Sequence, residues 1–250
     1  MGAHKHYREM WVKAGYDTNI GSAWVTPPPP PEYRRVYHLT GAEYALSNLW
    51  FRRLKVARFN ELNDPFELLA FKLGIEQYRK KVKALRDAFA NEIGLVCFSG
   101  NWISPVLWGH YANKHRGICL GFDLARSQEH KVDYMTKRLE VTLEKYPTAE
   151  DLPPELREKL FCTKSADWRY EDEYRMLVPL ANAETDGSLH YIPFSPDLRL
   201  AEVILGEDCP LPLEKVRDIV GTMYPGAVVI SARLAWNHFS VVPKESTIPD

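Results

Sequence analysis

The sequence predicts an α+β fold built on a mixed or largely antiparallel sheet. Three observations predict it: about eight short apolar runs of β character, four or five segments of helical periodicity, and no strict strand-helix-strand rhythm of the kind that winds a parallel sheet. With 250 residues, 45% of them hydrophobic and 26% charged, the chain has the make-up of a globular protein with a sizeable core, and disorder or a fibre is excluded.

The elements follow in order. The proline run 27–31 can join neither helix nor sheet, so residues 1–31 read as an arm that packs on the body through Trp11, Tyr16 and Trp24 or stays loose. Residues 32–250 read as a single α+β domain. RRVYHL at 34–39 is a short strand, and Thr40 with Glu43 three positions later is a capping box that opens a helix through about Phe51. RLKVAR at 53–58 alternates like a half-exposed strand. After a loop at 59–65, Ile75, Tyr78, Val82, Leu85, Phe89 and Ile93 recur at spacings of three and four, the clearest helix in the chain. GLVCFS at 94–99 reads as a buried strand. Ser104-Pro105 supplies an N-cap and a first-turn proline for a helix over 104–114, and Gly117 a C-cap before the strand ICLGFD. A charged stretch follows, broken by Pro147, Pro153 and Pro154. YRMLVP, LHYIPF, AEVILG, AVVISAR and FSVVP are then expected as strands, with a helix over 211–223 between the third and fourth.

Charge and motifs narrow the function. Thirty-two basic against 33 acidic side chains leave a net charge of −1, so bulk nucleic-acid or anionic-membrane binding is not indicated, although a local basic patch stays open. The four cysteines form no C-x-x-C pair, which fits reduced thiols better than disulfides or zinc. No apolar stretch approaches the roughly 18–20 residues of a membrane span, and the start lacks a signal-peptide core, so a cytoplasmic address and no membrane partner are expected. His4 and His6 read as a solvated tail before a weak metal site. No dinucleotide fingerprint follows the first strand, and neither a P-loop nor a G-x-S-x-G elbow occurs.

Three clusters are chemically dense. In Asn63-Asp64-Pro65-Phe66-Glu67 the proline fixes a turn that presents Asn63 and Asp64 beside Glu67, either as a clamp or as the cap of a helix beginning at Pro65. Ser99 is followed by Trp108-Gly109-His110-Tyr111, where Trp108, Tyr111 and His115 share one helix face; the aromatic pair either stacks a planar ligand or fills the core. The third runs from Lys164 through Trp168, Tyr170, Glu171 and Glu173 to Arg175. If it is extended, Glu171, Glu173 and Arg175 line one face, as a site or as an ion-pair network, and pairing with Arg175 would keep a carboxylate near the core ionised.

These motifs in this order resemble a bacterial family of proteins of unknown function, the domain of unknown function 2971 family: Tyr37 on the first strand, NDPFE at 63–67, Cys97-Phe98-Ser99, Trp108-Gly109-His110-Tyr111-Ala112, the strand 117–122, and Lys164 with Trp168, Tyr170, Glu171, Glu173 and Arg175. The resemblance spans about residues 36–206 and implies relatives without an assigned activity. The segment VYHLTGAEYALSNLWFRRL is also similar to the opening of ADP-ribosyltransferase-like proteins, where a Tyr-His strand end precedes a Thr-capped helix. That likeness implies NAD as substrate, with His38 hydrogen-bonding the nicotinamide ribose, an aromatic such as Tyr111 stacking the nicotinamide, Glu173 or Glu171 acting on the ribose or the acceptor, and Tyr37 and Thr40 among the ligand-binding residues. Cleaving that bond builds oxocarbenium charge, which a carboxylate stabilises. The E-x-E-x-R string departs from the usual ending of those proteins. Two other readings stay open. A metal-dependent nuclease or phosphodiesterase would gather its ion on Asp64, Glu67, Glu171 and Glu173, with Lys164 on the phosphate. A non-enzymatic module would use the same clusters to bind a small nucleotide-like ligand.

Overall fold

The computed structural model describes residues 25–142, 145–146, 148 and 150–247. The leader aromatics Trp11, Tyr16 and Trp24, the His4/His6 pair and the Pro147 breaker lie outside them. The elements in chain order are β1 (Tyr33–Thr40), α1 (Ala42–Phe51), β2 (Arg53–Arg58), α2 (Glu76–Glu92), β3 (Ile93–Ser99), α3 (Pro105–Tyr111), β4 (Ile118–Ala125), β5 (His130–Lys131) and β6 (Asp133–Met135). There follow α4 (Pro154–Phe161), β7 (Thr163–Ser165), β8 (Glu173–Pro179), β9 (Glu184–Asp186), β10 (Leu189–Pro193), β11 (Leu198–Leu205), α5 (Leu213–Met223), β12 (Val228–Leu234) and β13 (Val241–Pro243). The class is α+β and the sheet pairing mixed and largely antiparallel. No helix among the described residues is long and apolar enough to cross a membrane.

The chain divides into two compact units. Unit 1 takes the described parts of Met1–Arg53, Phe98–Ser127 and Phe194–Asp250; unit 2 takes Leu54–Cys97 and those of Gln128–Pro193. In unit 1 the strand order is β13-β12-β11-β4-β1. β1 runs antiparallel to β4 from Tyr33 opposite Ala125 to Thr40 opposite Ile118. Only β11 and β12 are parallel, and α5 makes the crossover such a pair requires. Val36, Leu120, Phe122, Val203 and Ile230 are fully sealed in its core.

In unit 2, β2 and β3 pair antiparallel, β8 pairs with β3 and β5, β9 and β10 form a hairpin, and β6 and β7 make a parallel ribbon. Val82, Leu85 and Phe89 bury one stripe of α2, as their spacing requires. Phe161 at the end of α4 stacks on Phe59 at 5.4 Å and meets Phe89 edge-on at 4.9 Å.

Several local expectations are corrected. Thr40 does not cap α1: it is still paired with Ile118 in the sheet, so the helix opens one residue later on Gly41, with no side-chain cap bond. No helix begins at Pro65; Asp64 closes a turn instead, its Oδ1 accepting from the Phe66 amide at 2.9 Å. The helix expected over 104–114 stops at Tyr111, because Asn113, Lys114 and His115 take φ of 45°, 56° and 68°, and the chain reverses through that left-handed stretch. Gly117 is therefore not a cap. It is required because a Cβ there would stand 2.1 Å from the Thr40 carbonyl oxygen. Residues Ala166–Glu171 form a 3-10 turn rather than an extended strand.

Candidate functional site

Unit 2 gathers two of the three sequence clusters. The Asp64 turn directs Glu67 inward to 2% exposure while Phe66 points out at 54%. On β8, Glu173 and Arg175 are two residues apart and face the same way, as alternation demands. On the ribbon, Lys164 stands opposite Tyr134 in register, so both point toward Glu173. Tyr134 meets its backbone, the hydroxyl accepting from the Glu173 amide at 2.8 Å, and Lys164 meets its carboxylate. Ser165 opens the 3-10 turn by accepting from the Asp167 amide, and Asp172 closes it at φ 43°, which brings Glu171 back over Lys164.

The result is a buried ionic network of three carboxylates and two cations. Arg175 donates to Glu67 Oε1 at 2.6 Å and Oε2 at 2.9 Å, to Glu173 Oε1 at 2.8 Å and Oε2 at 3.2 Å, and to the Phe161 carbonyl. Lys164 Nζ lies 2.6 Å from Glu171, 3.2 Å from Glu173, 3.8 Å from Glu67 and 4.7 Å from the Trp168 ring centre. Burial would raise the Glu173 carboxyl, but the Arg175 and Lys164 charges override it and hold it at about 2. Burial does prevail at Glu67, whose carboxyl is pushed up despite Arg175. Lys164 would be lowered by burial; Glu173 and then Glu171 raise it instead. Burial and the neighbouring Glu173 push the Cys97 thiol well up, which leaves it protonated and unreactive.

Lys164 also floors a cavity of about 180 Å³. Phe66, Met135 and Thr163 form walls, and Lys137 and Arg138 stand at its rim, the Arg138 guanidinium 5.2 Å over the Phe66 ring. Sequence reasoning missed Lys137 and Arg138, which sit in an irregular segment where nothing but a basic pair marks them.

The remaining predicted residues fall elsewhere. Asn63 is exposed beside the Asp64 turn. His38, Thr40, Ser99, Trp108, His110, Tyr111 and Tyr37 belong to unit 1. Tyr37 is fully sealed, and burial with the Glu202 charge raises its phenol far above the ordinary range. His38 is half-buried on β1, edge-on to Phe98 at 6.0 Å. Ser99 pairs with Tyr37 across the sheet and accepts from the Asn101 amide. Trp108 is fully buried, donates to the Trp102 carbonyl at 2.6 Å and stacks on His115. His110 is exposed and Tyr111 half-buried, their rings edge-on at 6.1 Å.

A second buried network, also missed, lies in unit 1. Glu202 Oε1 accepts from the Val25 amide at 3.0 Å, the Thr26 amide at 2.9 Å, the Thr26 hydroxyl at 2.7 Å, and Arg35. Arg35 reaches Asp123 at 2.6 Å with its Nε. The available signal was a charge inside an apolar strand, Arg35 in RRVYHL and Glu202 in AEVILG.

Among the described residues no group of three or more His, Cys, Asp or Glu side chains is placed to hold a metal ion; Lys164 and Arg175 stand between the carboxylates of unit 2 that a divalent ion would need. No curated protein and no solved structure matches the chain, so the likeness to ADP-ribosyltransferase-like proteins gains no support from them. Residues 107–176, which hold the Trp108-Gly109-His110-Tyr111 motif and the whole Lys164–Arg175 cluster, match the family model described as protein of unknown function, DUF2971.

Proposed function

We propose that unit 2 is a ligand-binding module that seats the anionic group of a small, nucleotide-like molecule in the Lys164 cavity. One observation carries this reading: a buried lysine, fixed from below by carboxylates and an indole face, forms the floor of a cavity whose rim adds Lys137 and Arg138. Thr163 and Ser165 also line the cavity. About 180 Å³ is below the roughly 300–1,000 Å³ that encloses a whole small-molecule ligand, so the cavity suits a headgroup, and the Phe66–Arg138 pair in its lining suits a planar ring attached to it. The experiment is thermal unfolding with NAD and ADP-ribose in separate arms, neither of which carries a phosphate monoester. A bound ligand at a hundred times its dissociation constant stabilises by about 2.7 kcal/mol. An upward shift that disappears in Arg138→Ala supports the reading; no shift in any arm, or one unchanged by Arg138→Ala, overturns it. A shift with Mg²⁺ alone would favour phosphodiester chemistry instead.

A second reading, NAD-dependent ADP-ribosyl transfer, is favoured by the ionised state of Glu173, since an ionised carboxylate is the form that stabilises an oxocarbenium ion. Its test is release of nicotinamide from NAD. Wild type should release it, and Glu173→Gln, checked by circular dichroism for an intact fold, should not.

A further inference from the structure

We propose that unit 2 holds a second ligand site, for a phosphate monoester or for inorganic phosphate, on Lys131, Lys159 and Arg169. These three cations come from β5, the last turn of α4 and the 3-10 turn before β8, and they converge on one cavity of about 450 Å³. That volume lies within the range of small-molecule pockets, where the Lys164 cavity does not.

Charge identifies the ligand. The cavity lining carries Lys131, Lys159 and Arg169 against Asp133 alone, an excess of two positive charges. Lys131 has Asp172 at 3.4 Å, but Lys159 and Arg169 carry no ion pair among the described residues. The Arg169 guanidinium lies 5.7 Å from the Tyr134 ring centre and donates one long bond to the Tyr134 carbonyl. Its planar fork is left to meet an oxyanion by two parallel bonds. Bringing three cations together is unfavourable until a multivalent anion answers them, and a phosphate dianion matches the excess. Val132, Tyr134, Met135 and Leu139 are the apolar and aromatic part of the lining, suited to the carbon portion of an ester. Every residue of the lining lies between 131 and 169, inside the segment matched by the family model.

The site is independent of the Lys164 cavity, with which it shares only Met135 and Thr163. The test is isothermal titration of the full chain with inorganic phosphate and with adenosine 5′-monophosphate, each at an ionic strength matched with sodium chloride. Saturable binding of either is expected, weakened at least about tenfold in Lys159→Ala/Arg169→Gln, since each lost charge-assisted bond is worth about that factor or more. Arg138→Ala, which changes only the lining of the Lys164 cavity, should leave in place the binding that depends on Lys159 and Arg169. Tighter binding of the monophosphate assigns an ester, and equal binding assigns the free anion. Absence of saturable binding by both, or equal binding by the double variant, overturns the proposal. Binding lost in Arg138→Ala instead places the anion in the Lys164 cavity and also overturns it. Because both substituted side chains are exposed, the double variant should fold, and its circular dichroism spectrum checks that.

Discussion

Glu67 and Arg175 stand 108 positions apart in the chain and meet through two parallel hydrogen bonds of 2.6 and 2.9 Å, with side chains 1% and 0% exposed. Fork-to-fork pairing of this kind fixes both planes at once. It ties the turn after Asp64 to β8, and Glu173 takes the adjacent Nε–Nη2 edge of the same guanidinium, sharing Nη2 with Glu67.

Arg175→Met should therefore be severely destabilising. Removing one partner leaves Glu67 and Glu173 buried with Lys164 as their remaining cation, and a broken buried pair costs about 3–5 kcal/mol. Arg175→Lys should fare little better, because an ammonium cannot serve two carboxylates edge by edge. Urea unfolding of both variants checks this; a loss below about 1 kcal/mol in Arg175→Met would show that the network relaxes without its centre.

Acid should act on the same network. Glu173 has an ordinary value of 4.5 and is held at about 2 in the folded chain. A carboxyl lowered on folding contributes stability that is complete above its unfolded value and is lost as pH falls through the folded one. The window is about pH 4.5 down to 2. Glu67, pushed up by burial, works in the opposite sense and offsets part of that stability. Unfolding free energies measured across that window should fall steeply in wild type and less steeply in Glu173→Gln. Parallel curves would show that Glu173 is not the group that titrates.

Much of this was legible before any coordinates. The three-four spacing of Val82, Leu85 and Phe89 specifies α2, and alternation puts Glu173 and Arg175 on one face of β8, since both patterns are local and repeat. The partner of Arg175 was not legible: nothing near Glu67 in the chain names a residue 108 positions away. Strands of two or three residues such as β5, β6 and β7 are too short for a period to show, yet the β6–β7 register is what aims Lys164. The left-handed run at 113–115 contains no glycine, so turn chemistry gave no warning that α3 would stop at Tyr111. Thr40 carried a genuine capping signal, overridden by its ladder partner Ile118.

Gly117→Ala should be costly although alanine adds one methyl. Its Cβ would meet the Thr40 carbonyl oxygen at 2.1 Å and Ala112 backbone atoms at 2.8 and 2.9 Å, and backbone on both sides has no rotamer with which to yield. Overpacking of this kind costs about 1–3 kcal/mol. Gly109→Ala, where nothing lies within 4 Å of the added atom, is the control and should be neutral or slightly stabilising. Melting midpoints of the pair decide it; equal midpoints would mean that the junction of β1 and β4 shifts freely.

The Glu202 clasp makes the last prediction. One carboxylate oxygen receives the Val25 amide, the Thr26 amide and the Thr26 hydroxyl, and Arg35 bonds both Glu202 and Thr26, so the residues before the proline run are held by a charge inside the sheet. Thr26→Val keeps the side-chain shape and removes the hydroxyl, and should cost about 1 kcal/mol. Glu202→Gln leaves Arg35 with Asp123 as its only carboxylate among the described residues and should cost more, up to about 3–5 kcal/mol. Since the hydroxyl bonds to the oxygen being altered, the two losses should not add. A double-mutant cycle by urea unfolding should give a coupling of at least about 0.5 kcal/mol. Strict additivity would mean that Thr26 and Glu202 act separately, and that the hold on the arm comes from the backbone amides alone.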